Sequence, residues 1–326
     1  MKRNILYYTA FTLLIGLLTV SCSNDIAGTD DSLTQNDDFW AQFDFVIGDA
    51  ADTRVAYESD KRSLFEAGDE VGIYVVNNSG NIISGQPTNV RYIVRNVTNL
   101  KYGTSKQVLL PANPNVSVGK NATYHYVLYY PYNPNMTIGA LKNYTHTVDL
   151  DQNAAKSQYD ATCTAFEHSD LLWCYYVPPT GVTSESTFEV FFDHAMAQIV
   201  IKVKDTNVSD VYLLNMPIQA NGVNLVQPLS ETFSYAASVP VYDPDNDTND
   251  KIHAWKFGTD EEDGYTMFRA IVPAHTVALY QDENNTVKRP VVRVYTAENT
   301  YKDYNFGKDV QLDPGYTYTF TLDNTQ

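Results

Sequence analysis

Short segments in which apolar and polar residues alternate recur along the chain, and they restrict the fold more than any other feature. In 316–322 (YTYTFTL), aromatic and aliphatic residues take every second position and threonines take the others. Successive side chains of a strand point to opposite faces, so this pattern predicts a strand with one buried face. The residues 313–315 (DPG) directly before it supply a turn.

Comparable apolar segments are spread over the rest of the sequence. They lie at 39–47 (FWAQFDFVI), 71–76 (VGIYVV), 124–130 (YHYVLYY), 188–192, 198–204 (QIVIKVK), 268–272 and 291–295. Pro, Asn, Asp and Gly separate them, and the 25 Tyr and 14 Phe suit pleated, half-buried surfaces. Many short strands between such turns predict an all-β fold built from sandwiches rather than βαβ units.

The first 22 residues have the form of an export signal. Two basic residues precede an apolar run, 5–20, that is shorter than the roughly 20 residues of a membrane-spanning helix. Ser21-Cys22 follows directly, which predicts a lipoprotein signal of residues 1–21 and acylation of Cys22. The alternative is an ordinary signal peptide that is cut near Ser21 and leaves Cys22 free.

The charge balance limits the partners of the chain. Its formal net charge is −17, and removal of residues 1–21 takes away two bases and no acids. Such an acidic surface repels phosphate, so we exclude nucleic acid as a partner.

The length of the mature chain suits two domains. Residues 22–38 are polar, which predicts a flexible tether between the lipid and the folded part of the chain. The segment 177–186 (VPPTGVTSES) is the best linker, so we divide the remainder into an N-terminal domain, 39–184, and a C-terminal domain, 185–326.

Two cysteines remain when Cys22 carries lipid. Cys163 and Cys174 form an even pair in an exported chain, which is compatible with a disulfide between adjacent segments of the first domain. The alternative is two buried thiols.

A series of short fragments is spread along the chain after residue 52. The fragments are 53–54 (TR), Tyr57, 65–74 (FEAGDEVGIY), 129–132 (YYPY), 169–172 (SDLL), 192–197 (FDHAMA), 271–273 (IVP) and 314–318 (PGYTY). In this order and spacing they resemble the fimbrillin family of the Bacteroidetes. The resemblance implies two tandem transthyretin-like β-sandwich domains in a surface-exposed lipoprotein of the outer membrane. It also implies a role in fimbriae or adhesion, with other fimbrial subunits as partners.

Family members assemble by strand exchange, so the resemblance implies this mechanism here. A protease cuts after an arginine, the first strand leaves, and a strand of another subunit fills the groove. The matching pieces would be the first strand, 39–47, which should close the N-terminal sheet, and a cut at Arg54. Lys61-Arg62 is a second candidate for the cut, and a structural role for Arg54 is the alternative.

One departure from the family favours a particular subunit type. Stalk pilins carry a donor extension beyond the last core strand, whereas only Asp323 to Gln326 follow Leu322 here. We therefore expect a tip or accessory subunit that accepts a strand, or an adhesin that does not polymerise.

Motifs for catalysis are not found, and we do not expect an enzyme or a cofactor. Asp193-His194 lies on a strand, where neighbouring side chains diverge, so His194 should be a packed, hydrogen-bonded histidine. Asp243, Asp245 and Asp247 have the alternating spacing of a Ca²⁺ loop. The loop lacks the glycine and glutamate that complete such a site, so an acidic surface loop is the alternative.

A glycan- or peptide-binding surface lipoprotein without an assembly role is the second function class. Exposed aromatic residues would favour it, and Trp40, Trp173 and Trp255 are the candidates, although the sequence favours core packing for each.

We expect Cys22→Ala to release the protein from membranes. The physical reason is that two or more acyl chains, at about 0.8 kcal/mol for each buried methylene, would supply the anchoring. Cell fractionation with metabolic lipid labelling measures both the location and the modification. Membrane association that persists in the variant, with no label at Cys22 in the parent, would overturn the lipoprotein assignment.

Overall fold

Strands dominate the part of the chain that the structure describes. The computed structural model describes residues 42–47, 65–97, 106–160, 163–183, 186–204, 207–227, 235–237, 251–260, 264–279, 290–298 and 300–323. All of them belong to one structural unit, Asp38–Gln326.

The described residues in the first part of this unit form eight strands and two short helices. The strands are β1 (Gln42–Ile47), β2 (Glu70–Val76), β3 (Val90–Val97), β4 (Lys106–Pro111), β5 (His125–Tyr130), β6 (Tyr144–Thr147), β7 (Leu172–Tyr176) and β8 (Thr187–His194). The helices are α1 (Ile138–Leu141) and α2 (Ala165–Ser169).

The later part is made of strands. They are β9 (Met196–Lys204), β10 (Val208–Leu213), β11 (Gln219–Val223), β12 (Ala236–Ala237), β13 (Ile252–His253), β14 (Trp255–Asp260), β15 (Tyr265–Pro273), β16 (Thr276–Val277), β17 (Val292–Thr296), β18 (Tyr301–Tyr304), β19 (Val310–Gln311) and β20 (Thr317–Asp323).

Seven of the first eight strands form a closed barrel in the order β1-β4-β3-β2-β5-β7-β8. Neighbouring strands are antiparallel, except that β1 runs parallel to β8. β1 closes the barrel because it pairs with β4 on one side and β8 on the other. The predicted role of the first strand as the closing strand is confirmed.

The C-terminal strands form two four-stranded sheets, β13-β10-β17-β18 and β14-β15-β9-β20. A three-stranded sheet, β12-β11-β6, includes β6, which precedes the last two barrel strands in the chain. β16 and β19 form a small pair.

One wall of the barrel, formed by β2, β5 and β7, is buried on both faces. Residues such as Ile73 and Leu128 point into the barrel, where they join the interior core. Their neighbours Tyr74 and Tyr129 point the other way and pack into a second core with the C-terminal sheets. The continuous apolar pattern of 71–76 and 124–130 therefore reflects burial on two sides.

The tyrosines in this wall bring their hydroxyl groups to hydrogen-bond partners. The hydroxyl of Tyr74 donates to the carbonyl of Met136 at 2.6 Å, and that of Tyr129 donates to Oδ1 of Asn89 at 2.7 Å. Burial raises the pKa of Tyr74 to about 12, so its hydroxyl stays protonated as a donor. These bonds remove the cost of burying the polar end of each ring.

The predicted all-β fold is confirmed, and the predicted strands occur as strands. The turns before β2 and β20 are also present, with φ values of 114° at Gly68 and 75° at Gly315, a backbone region that favours glycine. The predicted linker falls between β7 and β8, which are both barrel strands. The division into domains 39–184 and 185–326 stays a prediction.

We expect Gly72→Ala to destabilise the fold. A methyl group at position 72 in β2 would overlap the ring of Tyr129, which is held by its hydrogen bonds and the surrounding core. Overpacking of this kind costs about 1–3 kcal/mol in the free energy of unfolding. Chemical denaturation of both proteins measures it.

Gly258→Ala in β14 is the matched control. An added methyl group there meets no atom within 4 Å, so the change should stay within about 0.5 kcal/mol. Equal effects of the two substitutions would contradict the packing of Tyr129 against Gly72.

Candidate strand-exchange site

The candidate site is the position of β1 in the barrel wall, between β4 and β8. β1 pairs with β8 over six positions, from Gln42 opposite Thr187 to Ile47 opposite Phe192. On the other side, Phe43 lies opposite Leu109 of β4. We call this position the β1 slot.

The strand β8 supplies one side of the slot, and its side chains alternate cleanly. Phe188, Val190 and Phe192 are buried in the barrel interior, whereas the residues between them are exposed. Positions 43, 45 and 47 of β1 are the backbone partners of these buried residues, and we call them the inward register of the slot.

The strand β4 supplies the other side, and sequence reasoning did not identify it. Leu109 is fully buried and Val108 nearly so. The sequence feature that could have indicated β4 is the apolar run 108–110, which is followed by Pro111. Such a run is typical of a buried strand, but three residues are too few to distinguish a strand from another buried segment.

Aromatic side chains fill the barrel behind the slot. The ring of Phe65 packs edge-on against Phe192 at 5.1 Å and against Tyr130 at 5.4 Å. Tyr126 packs against Phe188 at 5.3 Å. Each buried ring of this size stabilises the fold by roughly 1.5–3 kcal/mol, so an uncovered slot would be unfavourable.

Tyrosine hydroxyls fix the loop at 118–121 to the barrel. The amide of Val118 donates to the hydroxyl of Tyr92 at 3.2 Å, and the hydroxyl of Tyr126 donates to the carbonyl of Gly119 at 2.8 Å. Burial raises the pKa of both tyrosines, so they remain neutral hydrogen-bonding groups.

A histidine–carboxylate pair holds the C-terminal end of β8. Nδ1 of His194 lies 2.7 Å from Oδ2 of Asp170, and the side chains are 16% and 11% exposed. Burial opposes charge on His194, but the neighbouring Asp170 carboxylate outweighs it and raises the pKa of the histidine. The prediction that His194 is a packed, hydrogen-bonded residue is confirmed.

Several predicted site residues fall outside the described residues. They are the lipidation residue Cys22, the cleavage residue Arg54, the second basic pair at 61–62, Trp40, and the Ca²⁺ candidates Asp243, Asp245 and Asp247. These assignments stay predictions.

Both remaining cysteines are free thiols in the structure. Cys174 is buried in the barrel interior, and Cys163 is half-buried beside α2. Burial raises the pKa of each to about 12, which keeps both protonated and weakly nucleophilic. A disulfide between them is not formed here and stays a prediction.

The tryptophans divide into a buried and an exposed class. Trp173 is 4% exposed and packs in the second core, as predicted. Trp255 is 36% exposed, so core packing is the wrong prediction for it. The reason is its place on β14, an edge strand, where it faces outward opposite Arg269 of β15.

Two further searches concern the residues that the structure describes. Within these ranges, no group of three His, Cys, Asp or Glu side chains could hold a metal ion. The helices in the same ranges are all too short or too polar to cross a membrane.

The fold of the described residues is a barrel that is closed by its own first strand and is followed by further β-sheets. A family model described as fimbrillin-like matches residues 53–326, so the chain belongs to the fimbrillin-like family. Membership in this family implies a fimbrial protein at the cell surface. A comparison with curated proteins finds no match.

Solved structures share the fold. A protein of Bacteroides uniformis provisionally assigned to cell adhesion is 15% identical, with a TM-score of 0.52 over 87% of this chain and 93% of that chain. A protein of Bacteroides ovatus with the same provisional assignment is 17% identical, with a TM-score of 0.52 over 87% and 92%. At this identity the likeness shows the fold alone.

We expect the loss of stability in His194→Gln to be larger at pH 5.5 than at pH 8.5. A pKa that is raised in the folded state gives stability that is present below the ordinary histidine value and is lost as pH rises through the folded value. The loss at pH 5.5 should be about 1–3 kcal/mol, as for a buried charged hydrogen bond. Denaturant unfolding at both pH values measures it.

His125→Gln serves as the control. Its ring nitrogen Nδ1 lies 2.6 Å from the hydroxyl of Tyr175, and burial lowers its pKa. The loss in this variant should therefore not be greatest at low pH. Equal losses for His194→Gln at pH 5.5 and pH 8.5 would show that the ion pair adds no stability.

Proposed function

We propose that this protein is a fimbrial acceptor subunit, of the tip or accessory type, whose β1 slot takes a strand from another subunit. The observation that carries the proposal is that β1 closes the barrel between β4 and β8. The arginine at position 54 lies between β1 and Phe65, the next described residue. A cut there would separate β1 covalently from the rest of the barrel.

Loss of β1 would create a specific binding site. The backbone N–H and C=O groups of β4 and β8 that face β1 would lose their partners, and the interior rings near Phe188 and Phe192 would be uncovered. Backbone groups of this kind supply affinity for an added strand, and the alternating pockets fix its register. The slot therefore suits a segment with apolar residues at every second position.

The last described strand supports the role of acceptor. β20 runs parallel to β9 over seven positions, at one edge of the sheet β14-β15-β9-β20. The ring of Phe320 stacks on Phe306 at 3.8 Å, and the hydroxyl of Tyr318 accepts the amide of Asp313 at 2.8 Å. Release of β20 as a donor would break these contacts, so we assign it a structural role in its own sheet.

The anchoring of this subunit is part of the same proposal. We assign Cys22 the lipid that holds the mature protein on the outer membrane, with the polar tether 23–38 before the first strand. The receptor or partner surface is then presented away from the cell.

A non-polymerising, glycan-binding surface protein is the second candidate function. The exposure of Trp255 favours it, because an exposed large aromatic side chain can stack on a ligand. Strand exchange and glycan binding would use different surfaces, so glycan binding by itself is compatible with either role.

Strand exchange after cleavage tests the proposal. The mature chain is cut with trypsin at Arg54 and mixed with a fluorescent peptide that copies residues 39–47. We expect the cut protein to bind the peptide, as measured by fluorescence anisotropy, and the uncut protein to exclude it. An Arg54→Ala variant, checked by mass spectrometry, separates this cut from one at Lys61 or Arg62.

The register gives matched peptide controls. A peptide with Phe43→Asp and Phe45→Asp places charge in the inward register and should bind at least about tenfold more weakly. A peptide with Gln42→Glu and Asp44→Asn changes the other register and should bind like the parent. Equal binding of both peptides would contradict insertion into the β1 slot, and filaments formed by the cut protein alone would show a stalk subunit.

A further inference from the structure

A row of outward-facing aromatic side chains crosses the C-terminal sheets, away from the β1 slot. The segment 252–257 passes from β13 to β14, and its residues Ile252 and Ala254 point into the second core. His253, Trp255 and Phe257 therefore point outward. Three tyrosines continue the row on β10, β17 and β18. We define the aromatic track as Tyr301, Tyr295, Tyr212, His253, Trp255 and Phe257.

The register of the sheets places these rings side by side. Tyr212 lies opposite His253, and Tyr295 lies opposite Tyr301. The ring centroids are 4.5 Å apart for His253 and Tyr212, 5.5 Å for Tyr212 and Tyr295, and 5.6 Å for Tyr295 and Tyr301. The four rings thus form a continuous line across four strands.

The other end of the track is a cluster around Trp255. Its ring lies 5.1 Å from Phe166 of α2 and 6.0 Å from Phe257. The guanidinium of Arg269 sits 3.7 Å from the centre of the Phe257 ring. These contacts hold the indole in place although it is on the surface.

The track is accessible to a ligand. Tyr301 is 53% exposed and Trp255 is 36% exposed, and the other four members are partly exposed. Single exposed aromatic residues are common on protein surfaces. Here four rings are in successive contact, and Trp255 and Phe257 follow His253 on the same segment, which makes a patch of the kind that binding surfaces have.

The charged groups along the track are matched to one another. Arg293 contacts Asp303 through two nitrogen–oxygen pairs, at 2.7 and 2.9 Å, and lies over the Tyr301 ring. His253 lies between two carboxylates, with Nδ1 2.8 Å from Asp151 and Nε2 2.9 Å from Asp210. Arg293 is therefore already paired with a carboxylate, and the net charge of −17 repels polyanions.

We propose that the aromatic track binds a neutral, linear oligosaccharide. The C–H faces of a sugar ring carry partial positive charge and stack on the electron-rich faces of Tyr and Trp. The carboxylates of Asp151, Asp210 and Asp303, which are 62%, 39% and 31% exposed, retain oxygens that accept bonds from sugar hydroxyls.

This binding site is independent of strand exchange. The aromatic track uses β10, β13, β14, β17 and β18, and none of these strands belongs to the barrel that contains the slot. Failure of either proposal leaves the other unaffected.

Calorimetric titration of the uncut mature chain tests the proposal. The probes are linear gluco-, manno- and xylo-hexaoses and the matching trisaccharides. We expect at least one hexaose to bind more tightly than its trisaccharide, because several rings contribute. Tyr301→Ala and Trp255→Ala should each lower the association constant roughly three- to tenfold.

Matched variants separate stacking from folding. Tyr301→Phe keeps the ring and should retain most of the affinity. Tyr316→Ala removes a 43% exposed tyrosine near β20, which lies at the opposite edge of its sheet from β14, and should have no effect. Thermal unfolding checks that each variant is folded. If one of the two alanine variants fails to fold, the other still tests the contribution of the track.

Three results would overturn the proposal. The first is no binding of any neutral hexaose at millimolar concentration. The second is binding that Tyr301→Ala and Trp255→Ala leave unchanged while both variants are folded. The third is selective binding of polygalacturonate fragments or of a lysine-rich peptide, which would assign the track to a charged partner.

Discussion

The wall formed by β2, β5 and β7 is the part of the molecule on which the two cores depend, because it is buried on both faces. Ile73 and Leu128 pack in the barrel, while Tyr74 and Tyr129 pack against the C-terminal sheets. Every position in such a wall is restricted in size, which explains why residue 72 is glycine beside the Tyr129 ring. The bonds of the tyrosine hydroxyls let these large rings be buried without unpaired polar groups.

The side of the barrel that contains the β1 slot differs from this wall, because its strand β8 has one buried face and one exposed face. The register of β1 therefore depends on one row of pockets at Phe188, Val190 and Phe192. In the strand exchange that we propose, a strand with the same alternation would replace β1, which is not paired with any strand of the two-sided wall. The pair His194–Asp170 fixes the end of β8, where the chain continues into β9. The site of proposed exchange is thus separated from the region that holds the fold together.

Much of the fold could be predicted, since alternation and turn residues are local properties. The last strand and the turn before it follow directly from 313–322, and the role of 39–47 as the closing strand came from the family resemblance. The strand β4 escaped prediction because an apolar run of three residues does not distinguish a strand from other buried segments. Trp255 was assigned to the core because large aromatic residues usually pack there, and only its position on an edge strand places it outside.

The sequence by itself determined that the chain is built from strands, where several of them lie, and that its net charge is strongly acidic. These conclusions follow from periodicity, turn chemistry and charge, which are properties of neighbouring residues or of the whole composition. Only the tertiary structure decided which strands are neighbours: β1 between β4 and β8, and the aromatic track across β10, β13, β14, β17 and β18. The physical reason is that pairing joins residues far apart in the chain, such as Phe43 with Phe188 and Tyr212 with His253, and no local pattern encodes that choice.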